Sequence, residues 1–375
     1  MELILHIGDG KCGTSSVQSS LFDARDALRG AGILYHPVTR INGHFHYRLL
    51  WGASTRGNDS NRTGKVKKNR AETTRLIEEA RPRFLLLSAE SFFYAPPRIV
   101  LDLFSGMPQP VEKIHVIGYI RNPVEHFLSL LQQKLKGSHK LLNPEKYKRN
   151  FLAALDRWQK QPDVNSLTVR NFDRRYLSGG SVVSDFQNVI RDITNIPIDL
   201  ADRVENSTLS AEQMIVLHEL RKDRLADFDG KFHPLSHSLI GFFRDLNRHE
   251  GLIGTKPGLR RSVEDILHEK HHEDAVEIEA RFPETLFTSS CRLKPRTGDI
   301  LPDYPGGFSD IRNIISGFDE GIAEALRTVV PGASAANHDI WAARAERNLE
   351  ALKVSGEAIE LFRKYAGKLH AEVHP

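Results

Sequence analysis

The chain has 375 residues, with 52 Lys and Arg against 48 Asp and Glu, a formal charge of +4 with His neutral, and 40% hydrophobic residues. That near-balance excludes a protein that coats nucleic acid through a large basic surplus, and the apolar content excludes a disordered chain swollen by charge. At roughly 150 residues per domain the length allows one large or two modest domains with a substantial core.

No apolar run approaches the ~18 residues of a membrane span, and the mean hydropathy is −0.38. The opening MELILHIGDG has no basic region followed by a long apolar stretch and a small-residue cleavage site, so no signal peptide is expected. Cys12 and Cys291 are the only cysteines, too few for a disulfide framework or a four-cysteine zinc site. A soluble protein of the reducing cytoplasm is the expectation.

In chain order, Leu3–Ile7 reads as a first strand and Thr14–Leu28 as a helix, with Val17, Leu21 and Leu28 on its apolar face and a glycine stop at Gly30 and Gly32. Gly32–Tyr35 is a second strand. Asn58–Arg70 reads as a basic, small-residue loop carrying Arg62, Lys65, Lys67, Lys68 and Arg70. Strands follow at Arg83–Leu87, Ile114–Ile120 and Leu167–Arg170, with an amphipathic helix from Pro123 to Lys136. Beyond about Val204 the strand signal fades, Ser210–Leu225 and Asp339–Leu369 read as helices, and Lys294–Gly307 as an irregular connector. Short apolar runs alternating with helical patterns predict an α/β fold around a mainly parallel sheet, with helical C-terminal additions. The expected division is an α/β core over 1–235 and a mainly helical extension over 236–375, packed on the core as one unit.

The first strand runs through Gly8, Gly10 and Gly13 directly into a helix. Such a junction is an anion seat, because the first helical N–H groups lack internal partners and the macrodipole adds positive potential. Lys11 adds a full charge, and Thr14, Ser15 and Ser16 add hydroxyls. A nucleoside-triphosphate loop would need Lys directly after the last glycine, where this chain has Thr14. A cysteine phosphatase would need Arg six residues after Cys12, where it has Gln18. At a second junction, Arg121-Asn122-Pro123 follows the Ile114–Ile120 strand, with Ser129 eight residues after Arg121 on the next helix. Asn122 suits an N-cap and Pro123 a first helical position.

Lys11-Cys12-Gly13-Thr14-Ser15-Ser16 resembles the 5′-phosphosulfate loop, K[ST]GT[ST], of sulfotransferases that use 3′-phosphoadenosine 5′-phosphosulfate (PAPS), with Cys12 in place of Thr or Ser. Arg121 and Ser129 resemble that family's 3′-phosphate motif, and Leu167–Leu177 (LTVRNFDRRYL) its following strand. The likeness covers about the first 210 residues and ends near Asn206–Ser210; Gly251–Lys256 (GLIGTK) is only a faint counterpart of the family's C-terminal nucleotide clamp. The resemblance implies a P-loop-like three-layer fold and sulfuryl transfer, without a metal, to a hydroxyl or amine of a carbohydrate or other small acceptor. It further implies that Lys11 acts on the bridging oxygen, that Arg121 and Ser129 hold the 3′-phosphate, and that 3′-phosphoadenosine 5′-phosphate is the product.

The acceptor needs a general base. His44 and His46 in Gly43–Leu50 and Glu90 in Phe84–Phe92 are the candidates, Glu90 lying at the carboxyl end of a strand, where open α/β sheets collect ligands. The basic stretch at 58–70 could recruit an anionic acceptor such as a uronate glycan. A competing reading takes His268, Glu269 and His272 as a literal HExxH zinc-hydrolase motif, although Lys270 and His271 fill its centre and its longer form fails at Ala275 and Ile278. A nucleotide-binding module without turnover is the third class.

Overall fold

A computed structural model describes residues 1–51, 60–202, 208–291, 305–332 and 337–373. In chain order the main elements are β1 (Glu2–His6), α1 (Thr14–Asp23), α2 (Arg25–Gly30), β2 (Ile33–Leu34), a 3-10 helix at Phe45–Trp51, α3 (Ser60–Ala80), β3 (Phe84–Ser88), α4 (Pro97–Asp102) and β4 (Lys113–Ile120). They continue with α5 (Pro123–Leu135), α6 (Phe151–Gln159), β5 (Ser166–Asn171), α7 (Val182–Thr194), α8 (Ala211–Asp223), α9 (Pro234–Glu250), β6 (Gly258–Leu259) and α10 (Arg261–Arg281). The last are α11 (Phe287–Ser290), β7 (Ile315–Ser316), α12 (Glu320–Arg327), α13 (His338–Ala351) and α14 (Gly356–Ala371).

Two compact units divide the chain, each assembled from several stretches: Met1–Asn122, Arg149–Glu205 and His271–Arg292 form the first, and Pro123–Lys148, Asn206–Lys270 and Leu293–Pro375 the second. The first unit is built on a five-stranded sheet of order β2-β3-β1-β4-β5, and every pairing in it is parallel. Parallel strands need coverage on both faces, and the apolar residues alternate accordingly. Leu3, Leu5, Leu85, Leu87 and Val116 pack into one core with α3 and α6, whereas Ile4, Leu86, Ile117 and Tyr119 pack into another with α1 and α7. Three layers result: helices, sheet, helices.

The second unit is mainly helical. Its core draws on Phe127 and Leu131 of α5, Met214 and Leu217 of α8, Phe242 and Phe243 of α9, Trp341 of α13 and Phe362 of α14. Arg221 of α8 is fully buried there, because its guanidinium donates to the Phe228 carbonyl at 2.7 Å, the Lys231 carbonyl at 3.1 Å and the Gly137 carbonyl.

All five expected strands form, each within about a residue of the expected bounds. Two helical readings and one loop reading need correction. Thr14–Leu28 breaks into α1 and α2 around Ala24, Asp339–Leu369 into α13 and α14, with Lys353 between them at φ 59°. The basic stretch read as a loop is the first half of α3, where Val66 is buried, Arg62, Lys65, Lys67 and Lys68 are exposed and Arg70 is half-buried; its positions 58 and 59 lie outside the described residues, as do 294–304 of the expected connector and 206–207 of NSTLS.

Trp158 of α6 has no exposed surface and fills the core under β4 and β5. Trp158→Ala is expected to cost about 3–5 kcal/mol of unfolding free energy, measured by urea denaturation; a loss below about 1 kcal/mol would contradict this packing.

Candidate functional site

In the first unit β1 has β3 on one side and β4 on the other, so the chain reverses its direction of travel across the sheet there. Ligand crevices of open α/β sheets lie outside the carboxyl ends of strands at such a switch point. The two anion-type junctions predicted from sequence, residues 8–16 and Arg121, follow β1 and β4. Beyond the strand proper the β1 backbone stays on β4, with Ile7 N–H donating to the Ile117 carbonyl and Asp9 N–H to the Tyr119 carbonyl, both at 2.9 Å.

The loop then turns sharply. Lys11 sits at φ 64° and Gly13 at φ 73°, the latter as the left-handed N-cap of α1. A Cβ at Gly13 would lie 2.6 Å from Phe172 and 2.8 Å from Val182, and one at Gly8 would lie 3.0 Å from both His6 and Thr14, so neither position has room for a side chain. Lys11, a non-glycine residue in the left-handed region, is held there by its surroundings. Arg121 Nη1 donates to the Lys11 carbonyl at 3.1 Å, and its guanidinium lies 5.2 Å from the centre of the Phe172 ring. The Leu167–Leu177 segment thus contributes Phe172 as a platform beneath both the turn and the arginine.

Two ties hold the loop from the other side. Asp9 is 1% exposed; its carboxylate accepts from Gly10 N–H at 2.8 Å and from the Arg149 guanidinium. Thr14 donates its hydroxyl to the Glu90 carboxylate. Burial pushes Asp9 up to about 6, against the lowering effect of Arg149. Burial lowers Lys11 below the ordinary lysine range; Glu90 opposes that shift and Arg121 adds to it. The Cys12 thiol is fully buried, reaches the Gly10 carbonyl at 3.7 Å and is pushed well above its ordinary value, first by burial and then by Asp9. It is a neutral packing group, not a thiolate nucleophile. Ser15 is exposed and Ser16 half-buried on the first turn of α1.

Lys11, Thr14, Glu90 and Arg121 therefore meet at one crevice. The other predicted residues are placed differently. His44 has no exposed surface: its Nε2 lies 3.1 Å from the His36 carbonyl, its Nδ1 accepts from Ser88 N–H at 3.2 Å, and burial holds it down to about 3. Both ring nitrogens are engaged inside the fold, in a cross-link between the 36–44 turn and β3. The extended alternation that would set His44 and His46 on one face does not form, because a 3-10 helix begins at Phe45. His46 is half-buried at the start of that helix, edge-on to Phe45 at 5.5 Å. Ser129 lies half-buried on α5, in the second unit, and Asn122 donates to the Ser290 carbonyl at 2.6 Å. In the second unit Gly251–Lys256 packs on the buried Glu212 carboxylate, which accepts from Thr255 N–H at 2.8 Å.

On α10 the inward-facing positions are Val263, Leu267, His271, Ala275 and Ile278, whereas Glu269 and His272 are exposed. His271 Nε2 accepts from Arg149 N–H at 3.0 Å. Among the described residues no group of three or more His, Cys, Asp or Glu is placed to hold a metal, and no helix is long and apolar enough to cross a membrane. Asp9, Arg149 and Phe172 were missed by sequence reasoning. Asp9 lay inside the loop motif and could have been flagged as an acid within an anion seat, but Arg149 carried no local signal. Comparison with protein-family models, with curated proteins and with solved structures finds no match to this chain.

The pH dependence of stability follows from the buried histidines. His6 and His44 are both held down to about 3 by burial, so below pH ~6.5 the unfolded chain takes up protons that the folded chain refuses. Each then removes up to about 1.4 kcal/mol per pH unit as pH falls, while Asp9, whose folded value is raised to about 6, offsets roughly a third of the summed loss by pH 5. Urea denaturation should show about 2.5 kcal/mol lost between pH 7 and pH 5, and His44→Gln should remove most of that loss. Stability that is flat over that range would contradict the buried, neutral placement of both rings.

Proposed function

We propose that the chain is a sulfotransferase with a P-loop-like core, moving a sulfuryl group from PAPS to a hydroxyl or amine of a small acceptor. The observation that carries this reading is the convergence of Lys11 and Arg121 at one crevice. The two cations come from different strand-to-helix junctions and are joined through the Lys11 carbonyl, beside the first turn of α1.

The residues present fit such a group. The turn at Gly13 is packed on Phe172 and Val182, which fixes the start of α1, and Asp9 is compensated by Arg149. The Lys11 ammonium lies near both the Glu90 carboxylate and the Arg121 guanidinium. In this reading the N–H groups at the start of α1, the Lys11 ammonium and the hydroxyls of Thr14, Ser15 and Ser16 hold the 5′-phosphosulfate, and Arg121 holds the 3′-phosphate. When bound, PAPS supplies the sulfuryl group, which passes to the acceptor oxygen or nitrogen as its bond to the bridging phosphate oxygen breaks. Lys11 neutralises charge on that oxygen; its burial strengthens the interaction. Glu90 accepts the acceptor's proton on one carboxylate oxygen while the other accepts from the Thr14 hydroxyl. His44 is unsuited to that role because both its nitrogens are engaged, which leaves Glu90 first and His46 second. Nothing in the geometry favours zinc hydrolysis by His268, Glu269 and His272.

Calorimetric titration should show 3′-phosphoadenosine 5′-phosphate binding to the full chain, and labelled sulfate should move from PAPS to acceptor. Lys11→Ala is expected to lower turnover roughly 100- to 1000-fold with a modest loss of nucleotide affinity. Arg121→Ala should weaken nucleotide binding about 10- to 100-fold. Glu90→Gln should lower turnover without weakening nucleotide binding, because it removes a negative charge beside the seat. Absence of nucleotide binding would overturn the proposal; binding without transfer to any acceptor would favour a module without turnover.

A further inference from the structure

A groove of about 740 Å³ opens in the first unit between α3, the 3-10 helix Phe45–Trp51 and α4. Leu50, Ile99 and Leu103 form its apolar wall, and Lys67 and Arg70 stand beside them. The volume lies within the range of small-molecule sites. The charge on this wall is not there to stabilise the helix. Between Ser60 and Arg70, α3 carries five cations and no acid, which sets like charges three residues apart at Lys65/Lys68 and Lys67/Arg70, toward the positive end of the helix dipole. Among the described residues no carboxylate forms an ion pair with Lys67 or Arg70, whereas Asp102, the acidic residue on the wall, is paired with Arg98 Nε at 3.0 Å. Arg70 is fixed at the groove by its Nη2, which donates to the Leu103 carbonyl at 2.8 Å.

The wall chemistry selects the ligand. Its neutral polar side chain, Thr74, already donates its hydroxyl to the Arg70 carbonyl at 3.0 Å. A hydroxyl-rich sugar would lose hydration there without finding replacement partners. An apolar body with one anionic head would cover the aliphatic wall and meet both cations. We infer that this groove binds a small amphipathic carboxylate, its head on Lys67 and Arg70 and its body on Leu50, Ile99 and Leu103, and that it is the acceptor subsite.

The second part of that inference rests on the proposed sulfuryl transfer; the first does not. The link is the 3-10 helix. Leu50 lies on the groove, and at the other end of the helix the Phe45 carbonyl accepts from the hydroxyl of Ser91, the neighbour of Glu90, at 3.0 Å. Five residues at a rise of ~2 Å separate the two ends by roughly 10 Å. A carboxylate with a hydroxyl at its far end spans such a distance. In the transfer its O–H bond breaks, the proton passes to Glu90, and the oxygen takes the sulfuryl group released from the phosphate oxygen of PAPS.

Calorimetry on the full chain with decanoate tests the groove. Decanoate should bind at least tenfold more tightly than acetate, which lacks the body, or decanol, which lacks the charge. Lys67→Gln should weaken it about tenfold and Ile99→Asp should abolish it, and both exposed-site variants should bind 3′-phosphoadenosine 5′-phosphate as the parent chain does. Decanoate binding no tighter than acetate, unchanged in both variants, or displaced by a glucuronate tetrasaccharide at equal concentration would overturn the inference. With PAPS present, ω-hydroxydecanoate should be sulfated and decanoate should compete with it. Nucleotide and decanoate binding without sulfation would overturn the acceptor assignment alone, whereas decanoate binding without nucleotide binding would overturn the nucleotide reading and leave the groove.

Discussion

The chain leaves its central strand through a turn that has no space for side chains at two of its positions. β1 is buried on both faces and paired on both edges, so the backbone after His6 can only continue along β4 and then swing into α1. Phe172 and Val182 occupy the volume a Cβ would need at Gly13, and His6 and Thr14 crowd Gly8. The turn is therefore clamped by the sheet's own packing, and its left-handed residues, Lys11 and Gly13, are fixed by neighbours rather than by local preference. The rest of the crevice is placed relative to that turn: Arg121 by its bond to the Lys11 carbonyl, Glu90 by Thr14, Arg149 by Asp9.

Charge in this protein acts over short distances. The overall +4 describes nothing of the crevice, where each ion is set against a named partner. Asp9 and Arg149 offset each other inside the fold, and Lys11 lies near both Arg121 and Glu90. The same separation recurs on α3, where Glu72 and Glu79 pair with Arg75 on the exposed surface, away from the earlier cations Lys67 and Arg70 at the groove. Burial supplies the rest: it keeps Cys12 a thiol and His44 neutral, so that residues attractive as nucleophile or base by type serve as packing and cross-links by position.

The sheet was legible because parallel strands buried on both faces leave unbroken apolar runs, such as Phe84-Leu85-Leu86-Leu87, and because a strand that ends in glycines before a helix has few other uses. Helix α3 was not legible as a helix. Val66, Leu76 and Ile77 are its only large apolar side chains in 21 residues, and its basic composition imitates a solvated loop. The break at Lys353 was hidden because the left-handed angle falls on a lysine rather than a glycine, with Ser355 extended as the N-cap of α14. Arg149 could not be found at all. It reaches Asp9 across 140 residues, at the point where the chain returns to the first unit, and a contact made by topology leaves no mark in local spacing. The same holds for His44, whose inward rotation follows from the 3-10 helix that begins beside it.

The claim on which the account stands is that the turn after β1 and the end of β4 hold one anionic ligand together. Hydrogen–deuterium exchange of the full chain, with and without saturating 3′-phosphoadenosine 5′-phosphate, reads both segments at once. The account predicts slowed exchange at the amides of 10–17 and 121–122, with little change in α13 and α14. Exchange unaltered in the 10–17 segment, or protection confined to the second unit, would contradict it.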